Sequence, residues 1–256
     1  MGSMLAMKFI ESGKILPRHI AVYNRTPEKM NALVKSSGVE ACENNLCVAE
    51  KSDLIFVCVR PEEVKDVLLE IRPRLDERKT IVSVASDVSL EKLTGWSGIN
   101  AVRVIPSITS ESLAGVSVIV FGDEVQSDAR EEIFSLFGSI SRPFVTTEDK
   151  ISLMSDLTSS SPAIIASIIQ QYALAAARKG GVSKDDAEFL VKETFIGTAK
   201  LILENDYEFG DLISRVSTKG GITAEGVAVV EKEIPPVFDN VLLKMEEKHR
   251  STGDLS

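Results

Sequence analysis

Apolar positions change their spacing along the chain. Over residues 4–12, Met4, Leu5, Phe9 and Ile10 recur at helical intervals and Gly13 ends the pattern, which predicts a helix almost at the first residue. Residues 19–23 form a short β-type run, and Pro27 opens a helix carrying Met30, Leu33 and Val34. Residues 54–59 read LIFVCV without alternation, as expected of a parallel strand covered on both faces. A helix over 62–69, buried strands over 80–85, 101–105 and 116–120, and a helix over 128–137 follow. Strands alternating with helices in short units predict a doubly wound α/β sheet.

Beyond Glu148 the patterns become long and helical, so the reading is an α/β domain over residues 1–148 and an all-α domain over 149–256. Ser161-Pro162 suits an N-cap and first turn for a helix over 163–178. That helix is apolar nearly all round, which predicts burial on most sides, part of it by a second subunit. A helix over 185–204 and a helical region over 223–248, broken or kinked at Pro235-Pro236, complete the domain. Residues 251–256 read as a frayed tail.

Composition narrows the function classes. With 256 residues, 44% hydrophobic and 26% charged, the chain is in the globular range of one or two domains. A net charge of −9 with no Lys/Arg cluster argues against nucleic-acid and anionic-membrane partners. Three cysteines and two histidines supply neither a disulfide framework nor a zinc site, and no metal is expected. No apolar run reaches bilayer length, and Glu11 interrupts what would be a secretory signal, so the cytoplasm is the expected location.

In dinucleotide-binding units a first strand runs into G-x-G-x-x-G and then into a helix whose N-terminal amides hold the pyrophosphate. Gly2, directly ahead of the first helix, suits the last of those glycines, although Met1-Gly2-Ser3 is equally an ordinary start. The first strand and the other glycines would then lie ahead of Met1, and the expectation is a chain shortened at its N-terminus that binds NADPH poorly. The place of that strand would be between the strands at 19–23 and 54–59. Asn24-Arg25-Thr26 follows the 19–23 strand, where such folds carry an acid for a ribose hydroxyl or a base for a 2′-phosphate. A guanidinium fork with no acid in the tripeptide favours NADPH over NADH, while a plain polar turn is an open alternative. Val59-Arg60-Pro61, the turn from Ala85 to Asp87, and Ile105-Pro106-Ser107 all fall at strand carboxyl ends, the edge where α/β sheets bind ligands. In Ser217-Thr218-Lys219-Gly220-Gly221-Ile222-Thr223, adjacent glycines and flanking hydroxyls suit a carboxylate cradle, or else an inter-helix loop.

Taken in order, these motifs resemble the pyrroline-5-carboxylate reductase family, from Gly2 to about Lys248. The family's Asn-Arg-(Ser/Thr) turn is similar to Asn24-Arg25-Thr26 and its Val-Lys-Pro turn to Val59-Arg60-Pro61. Its Gly-Ser-Gly-Pro-Ala helix start is similar to Ser159-Ser160-Ser161-Pro162-Ala163, and its Ser-Pro-Gly-Gly-Thr-Thr loop to Thr218-Lys219-Gly220-Gly221-Ile222-Thr223. The resemblance implies a Rossmann-like N-terminal domain, a helical dimerisation domain, and hydride transfer from NADPH, or NADH, to a cyclic imino acid, giving proline. It implies cofactor contacts at Gly2, Asn24, Arg25, Thr26, Val59, Arg60, Pro61, Ala85 and Ser107. It also implies a substrate carboxylate on Gly220, Gly221 and Thr218, and Thr223 as the catalytic hydroxyl near the ring nitrogen. Departures are the family's Met-Pro-Asn-Thr-Pro turn, here Ile105-Pro106-Ser107-Ile108-Thr109, together with Asp87 for glycine and Lys219 for proline. They keep two alternatives open: a related imine or β-hydroxyacid reductase, and a non-catalytic helical dimer.

Overall fold

Helix α1 (Gly2–Glu11) opens the computed structural model, which describes residues 1–253. Two compact units divide the chain, one made of residues 1–160 with the chain from Glu246 onward, the other of 161–245. The first unit continues through β1 (Ala21–Val22), α2 (Pro27–Ser37), β2 (Glu40–Ala41), α3 (Asn45–Lys51) and β3 (Leu54–Val57). Next come α4 (Pro61–Ile71), β4 (Thr80–Ser83), α5 (Leu90–Ser97), β5 (Ala101–Ile105) and β6 (Val116–Phe121). The unit is completed by α6 (Ser127–Gly138), β7 (Arg142–Val145) and α7 (Ile151–Ser155).

The strand run LIFV is covered on both faces because alternate residues enter different cores. Leu54 and Phe56 pack with Val82, Val102, Val104 and Ile119 against Leu5 and Phe9 of α1 and Ile133, Leu136 and Phe137 of α6. Ile55 and Val57 join Ile81 and Ala101 against Val64, Leu68 and Ile71 of α4 and Leu93 of α5. Phe9 anchors α1 by edge contacts to Phe56 and Phe137, with ring centroids 6.0 and 5.5 Å away.

The sheet is divided. β3, β4 and β5 run parallel, β6 is antiparallel to β5, and β7 is parallel to β6. β5 reaches β6 through a 3₁₀ turn (Ile108–Ser112) with no crossover helix, and so short a link returns the chain antiparallel. β1 and β2 form a separate parallel pair, with Ala21 opposite Glu40 and Val22 opposite Ala41. Among the described residues no ladder joins β1 to β3.

The first compact unit runs to Ser160, so residues 149–160 of the expected helical domain pack with the sheet. Ile151 and Met154 of α7 complete a third core cluster with Ile105, Val118 and Val120, and Glu148 pairs with Arg103 of β5 at 2.7 Å. Those contacts tie residues 148–155 to the sheet. The expected N-cap at Ser161 is also corrected: a π-helical turn, Asp156–Ser160, runs from α7 into α8 (Ser161–Lys179). Ser107 Oγ donates to the Thr158 carbonyl at 3.0 Å, and an outside donor of this kind offers that carbonyl a partner off the α-helical ladder, consistent with the wider turn.

The helical unit holds α8, α9 (Lys184–Asn205), α10 (Phe209–Val216), α11 (Ile222–Glu233) and most of α12 (Pro235–Gly253). Pro235-Pro236 separates α11 from α12 as expected. In α8 and α9 the buried side chains are only Ala173 and Ala187, while Tyr172, Phe189 and Leu203 are 61–71% exposed. The expected frayed tail is helical to Gly253, and its last residues lie outside the described residues. No described helix is long and apolar enough to cross a membrane.

Candidate active site

In the first unit the candidate residues gather at the carboxyl edge of the strands. A Cβ on Gly2 would sit 3.0 Å from Cys58 Cβ and 3.3 Å from its Sγ, so α1 approaches the end of β3 more closely than side chains are ordinarily packed. That is the role of a glycine in close helix–strand packing. The first amides of α1 have no side-chain cap, which leaves positive dipole ends available to an anion. Burial pushes the Cys58 thiol up to about 11, the Met1 ammonium opposing it weakly. At neutral pH Cys58 is therefore a neutral, space-filling residue.

Asn24 Oδ1 accepts the Thr26 N–H at 2.9 Å, an Asx turn that aims the loop after β1, and Pro27 then starts α2. Arg25 ion-pairs with Glu63. Arg60, the N-cap of α4, grips the same carboxylate: Nε and Nη2 donate at 3.3 and 3.2 Å, and the Arg60 N–H donates at 3.3 Å. These bonds, the guanidinium of Arg60 first, hold the Glu63 carboxyl below its usual value. Sequence reasoning named both arginines and missed Glu63. Its signal was Glu at the third helical position after Pro61, half of a capping box whose N-cap is arginine in place of Ser or Thr.

Two expected cofactor contacts, Ala85 and Ser107, are buried. Ala85 lies in the face covered by α4 and α5, with its N–H donated to Ser83 Oγ at 3.3 Å. Besides donating to Thr158, the Ser107 hydroxyl accepts from Thr109 Oγ1 at 2.9 Å, so it shapes the turn. Two further polar groups escaped sequence reasoning. Arg103, on β5, donates to Glu148 and to the Ser86 carbonyl, and its buried Nε has no partner. His249 Nε2 lies 2.8 Å from Asp156 Oδ1, and Nδ1 lies 3.9 Å from Asp87 Oδ1. Both are long-range pairings invisible to local spacing. No group of three His, Cys, Asp or Glu among the described residues is placed to hold a metal ion.

The other candidate residues lie in the helical unit. After α10, Gly220 takes φ +73°, and the Gly221 N–H closes a turn on the Thr218 carbonyl at 2.9 Å. A Cβ on Gly221 would lie 2.7 Å from Thr218 Oγ1 and 3.0 Å from the Thr218 carbonyl oxygen, so a side chain there would crowd the turn. Gly221 caps α11 without a side-chain bond, and the amides of Ile222 and Thr223 in its first turn have no intrahelical acceptor. Thr218, Gly220 and Thr223 are exposed, and Ile222 is 96% exposed.

Residues 148–252 match the family model for pyrroline-5-carboxylate reductase dimerisation, and residues 1–87 match that for NADP oxidoreductase, coenzyme F420-dependent. The chain is 33% identical over 252 residues to ComE operon protein 4 of Bacillus subtilis (strain 168), covering 96% of this chain and 92% of that protein. It is 32% identical over 251 residues to pyrroline-5-carboxylate reductase 3 of the same organism, with coverages of 97% and 92%. A solved pyrroline-5-carboxylate reductase from Coxiella burnetii matches with a TM-score of 0.90 at 25% identity, over 97% of this chain and 93% of that one. A nucleotide-type edge in one unit, an amide nest in the other and relatives matched end to end agree: the chain belongs to the pyrroline-5-carboxylate reductase family.

Proposed function

We propose that the protein reduces pyrroline-5-carboxylate to proline with NADPH. The observation that carries this reading is the Thr218–Thr223 turn, which leaves the amides of Ile222 and Thr223 open beside two hydroxyls in a chain of this family. Those amides and the Thr218 hydroxyl suit the substrate carboxylate, with Gly220 and Gly221 giving the close backbone approach, and the Thr223 hydroxyl is assigned to the ring nitrogen. A cyclic imine that arrives protonated requires no strong acid from the protein, which fits a chain with two histidines. The chain's contribution is then positional, and near-attack placement is worth several kcal/mol.

The nicotinamide cofactor, when bound, supplies the hydride. The donor set fits its anionic end: Gly2 and the open α1 amides for phosphate, Arg25 with Asn24 and Thr26 for the 2′-phosphate, and the Val59-Arg60-Pro61 backbone alongside. NADH is the second nucleotide to test. A homodimer is proposed from the exposed apolar residues of α8 and α9, and the cytoplasm as its location. The test is oxidation of NADPH by the purified chain with pyrroline-5-carboxylate, followed by nicotinamide absorbance. Turnover with other cyclic imines or β-hydroxyacids and none with this substrate would overturn the assignment.

A second reading is a non-catalytic helical dimer. Ser107, whose buried hydroxyl is engaged by Thr158 and Thr109, favours it. Nucleotide titration separates the two, since a chain that binds neither NADPH nor NADH supports the second.

A further inference from the structure

Arg25 follows β1 and Arg60 follows β3, strands of two separate sheets, yet both guanidinium groups meet on the single carboxylate of Glu63. The arginine side chains are 69% and 65% exposed, whereas Glu63 is 22% exposed and is held by main chain at both ends. Its N–H donates to the Arg60 carbonyl at 2.9 Å, and its carboxylate accepts the Arg60 N–H. Arg25 can therefore swing away, and Glu63 cannot. Glu62 lies 3.2 Å from Arg60, so the four charges balance and the edge is electrostatically quiet.

We infer that Glu63 is a built-in counter-ion that sets how strongly the site favours NADPH over NADH. The inference rests on the reading of Arg25 as the ligand of the 2′-phosphate. A phosphate dianion reaching Arg25 must take the guanidinium from Glu63 or share it, and the pinned carboxylate stays beside the arriving anion. Like charges a few ångströms apart at a solvated edge oppose each other by an amount that translates to roughly tenfold in affinity. NADH meets the opposite balance, because its ribose carries a hydroxyl that can donate to a carboxylate, the usual acid–ribose pairing of NAD sites. In this chain no acid stands in the Asn24-Arg25-Thr26 turn itself; the first turn of α4 supplies one from the neighbouring strand connection. Arg25 and Glu63 thus pull nucleotide choice in opposite directions.

Calorimetric titration of the full chain with adenosine 2′,5′-bisphosphate and adenosine 5′-monophosphate tests this, using the wild type, Glu63→Gln, Glu63→Asp and Arg25→Ala. Glutamine keeps the helix-start acceptor, so Glu63→Gln retains the fold, checked by its melting curve. Expected is a bisphosphate affinity raised about tenfold in Glu63→Gln with the monophosphate unchanged or weaker, and a ratio near wild type in Glu63→Asp. An unchanged ratio, or weaker bisphosphate binding, in Glu63→Gln overturns the inference even where Arg25→Ala abolishes the preference and the phosphate reading survives. A preference intact in Arg25→Ala overturns that reading and the inference together, as does a wild-type chain that binds neither probe.

Discussion

Arg25 stands on an Asx turn with its guanidinium mostly in solvent, so its value to a ligand is charge and a planar fork more than packing. Arg25→Asp is expected to weaken NADPH by about 2–3 kcal/mol, the scale of a charge-assisted bond, with much less change for NADH. Equal losses for both nucleotides in a fluorescence titration would remove Arg25 from the phosphate site. Thr223 lies at an open helix start, and Thr223→Ala should lower kcat/KM by roughly 1–3 kcal/mol without moving nucleotide affinity; unchanged kinetics would exclude the hydroxyl. The thiols make a prediction of the other sign. Cys42, pushed up to about 12, first by burial and then by its bond to Cys47, and Cys58, at about 11, are protonated at pH 8. Iodoacetamide at that pH should leave both unmodified in the native protein and label them in denaturant, since only the thiolate reacts. Rapid native labelling of Cys58 would show that the close packing of Gly2 against it is absent.

At the scale of elements, α1 is joined to the sheet by two different devices. Leu5 and Phe9 bury an apolar face, and Gly2 removes the side chain that would separate the helix start from Cys58. Gly2→Ala should destabilise by about 1–3 kcal/mol, because the clash is with a Cβ that cannot rotate away. A melting temperature equal to wild type would show that α1 shifts freely at its first turn. Most long elements were legible: the strand over Ala101–Ile105 matches its apolar run, and Ser161–Lys179 covers the helix expected over 163–178. The elements not anticipated were short: β2, α3, α5, β7, α7 and α10. β2 has two residues, Glu40 and Ala41, both exposed, so no apolar period marks it and only pairing with β1 makes it a strand. β7 begins Arg142-Pro143, a poor strand signal, and its parallel pairing with β6 holds it in the sheet.

For the whole molecule, the helical unit buries almost nothing large within itself, which leaves apolar surface for another copy. Light scattering at micromolar concentration is expected to give at least a dimer, and a monomer would contradict the assembly.

What the sequence alone determined here is what local pattern encodes. Periodicity marked the long helices and buried strands, strand–helix alternation the α/β class, and the order of short motifs around Asn24, Val59 and Gly220 the family. Gly221 is legible for the same reason, since its turn closes on Thr218 three residues away. Only the tertiary structure decided the rest. The Glu63 bridge between two strand ends, the Arg103–Glu148 pair on the sheet, the engaged hydroxyl of Ser107 and the return of His249 to Asp156 join residues distant in sequence. Polar side chains have no period of their own, and their partners are chosen by how the backbone elements pack. Local spacing therefore located the candidate residues, while packing determined which of them are buried and which exposed.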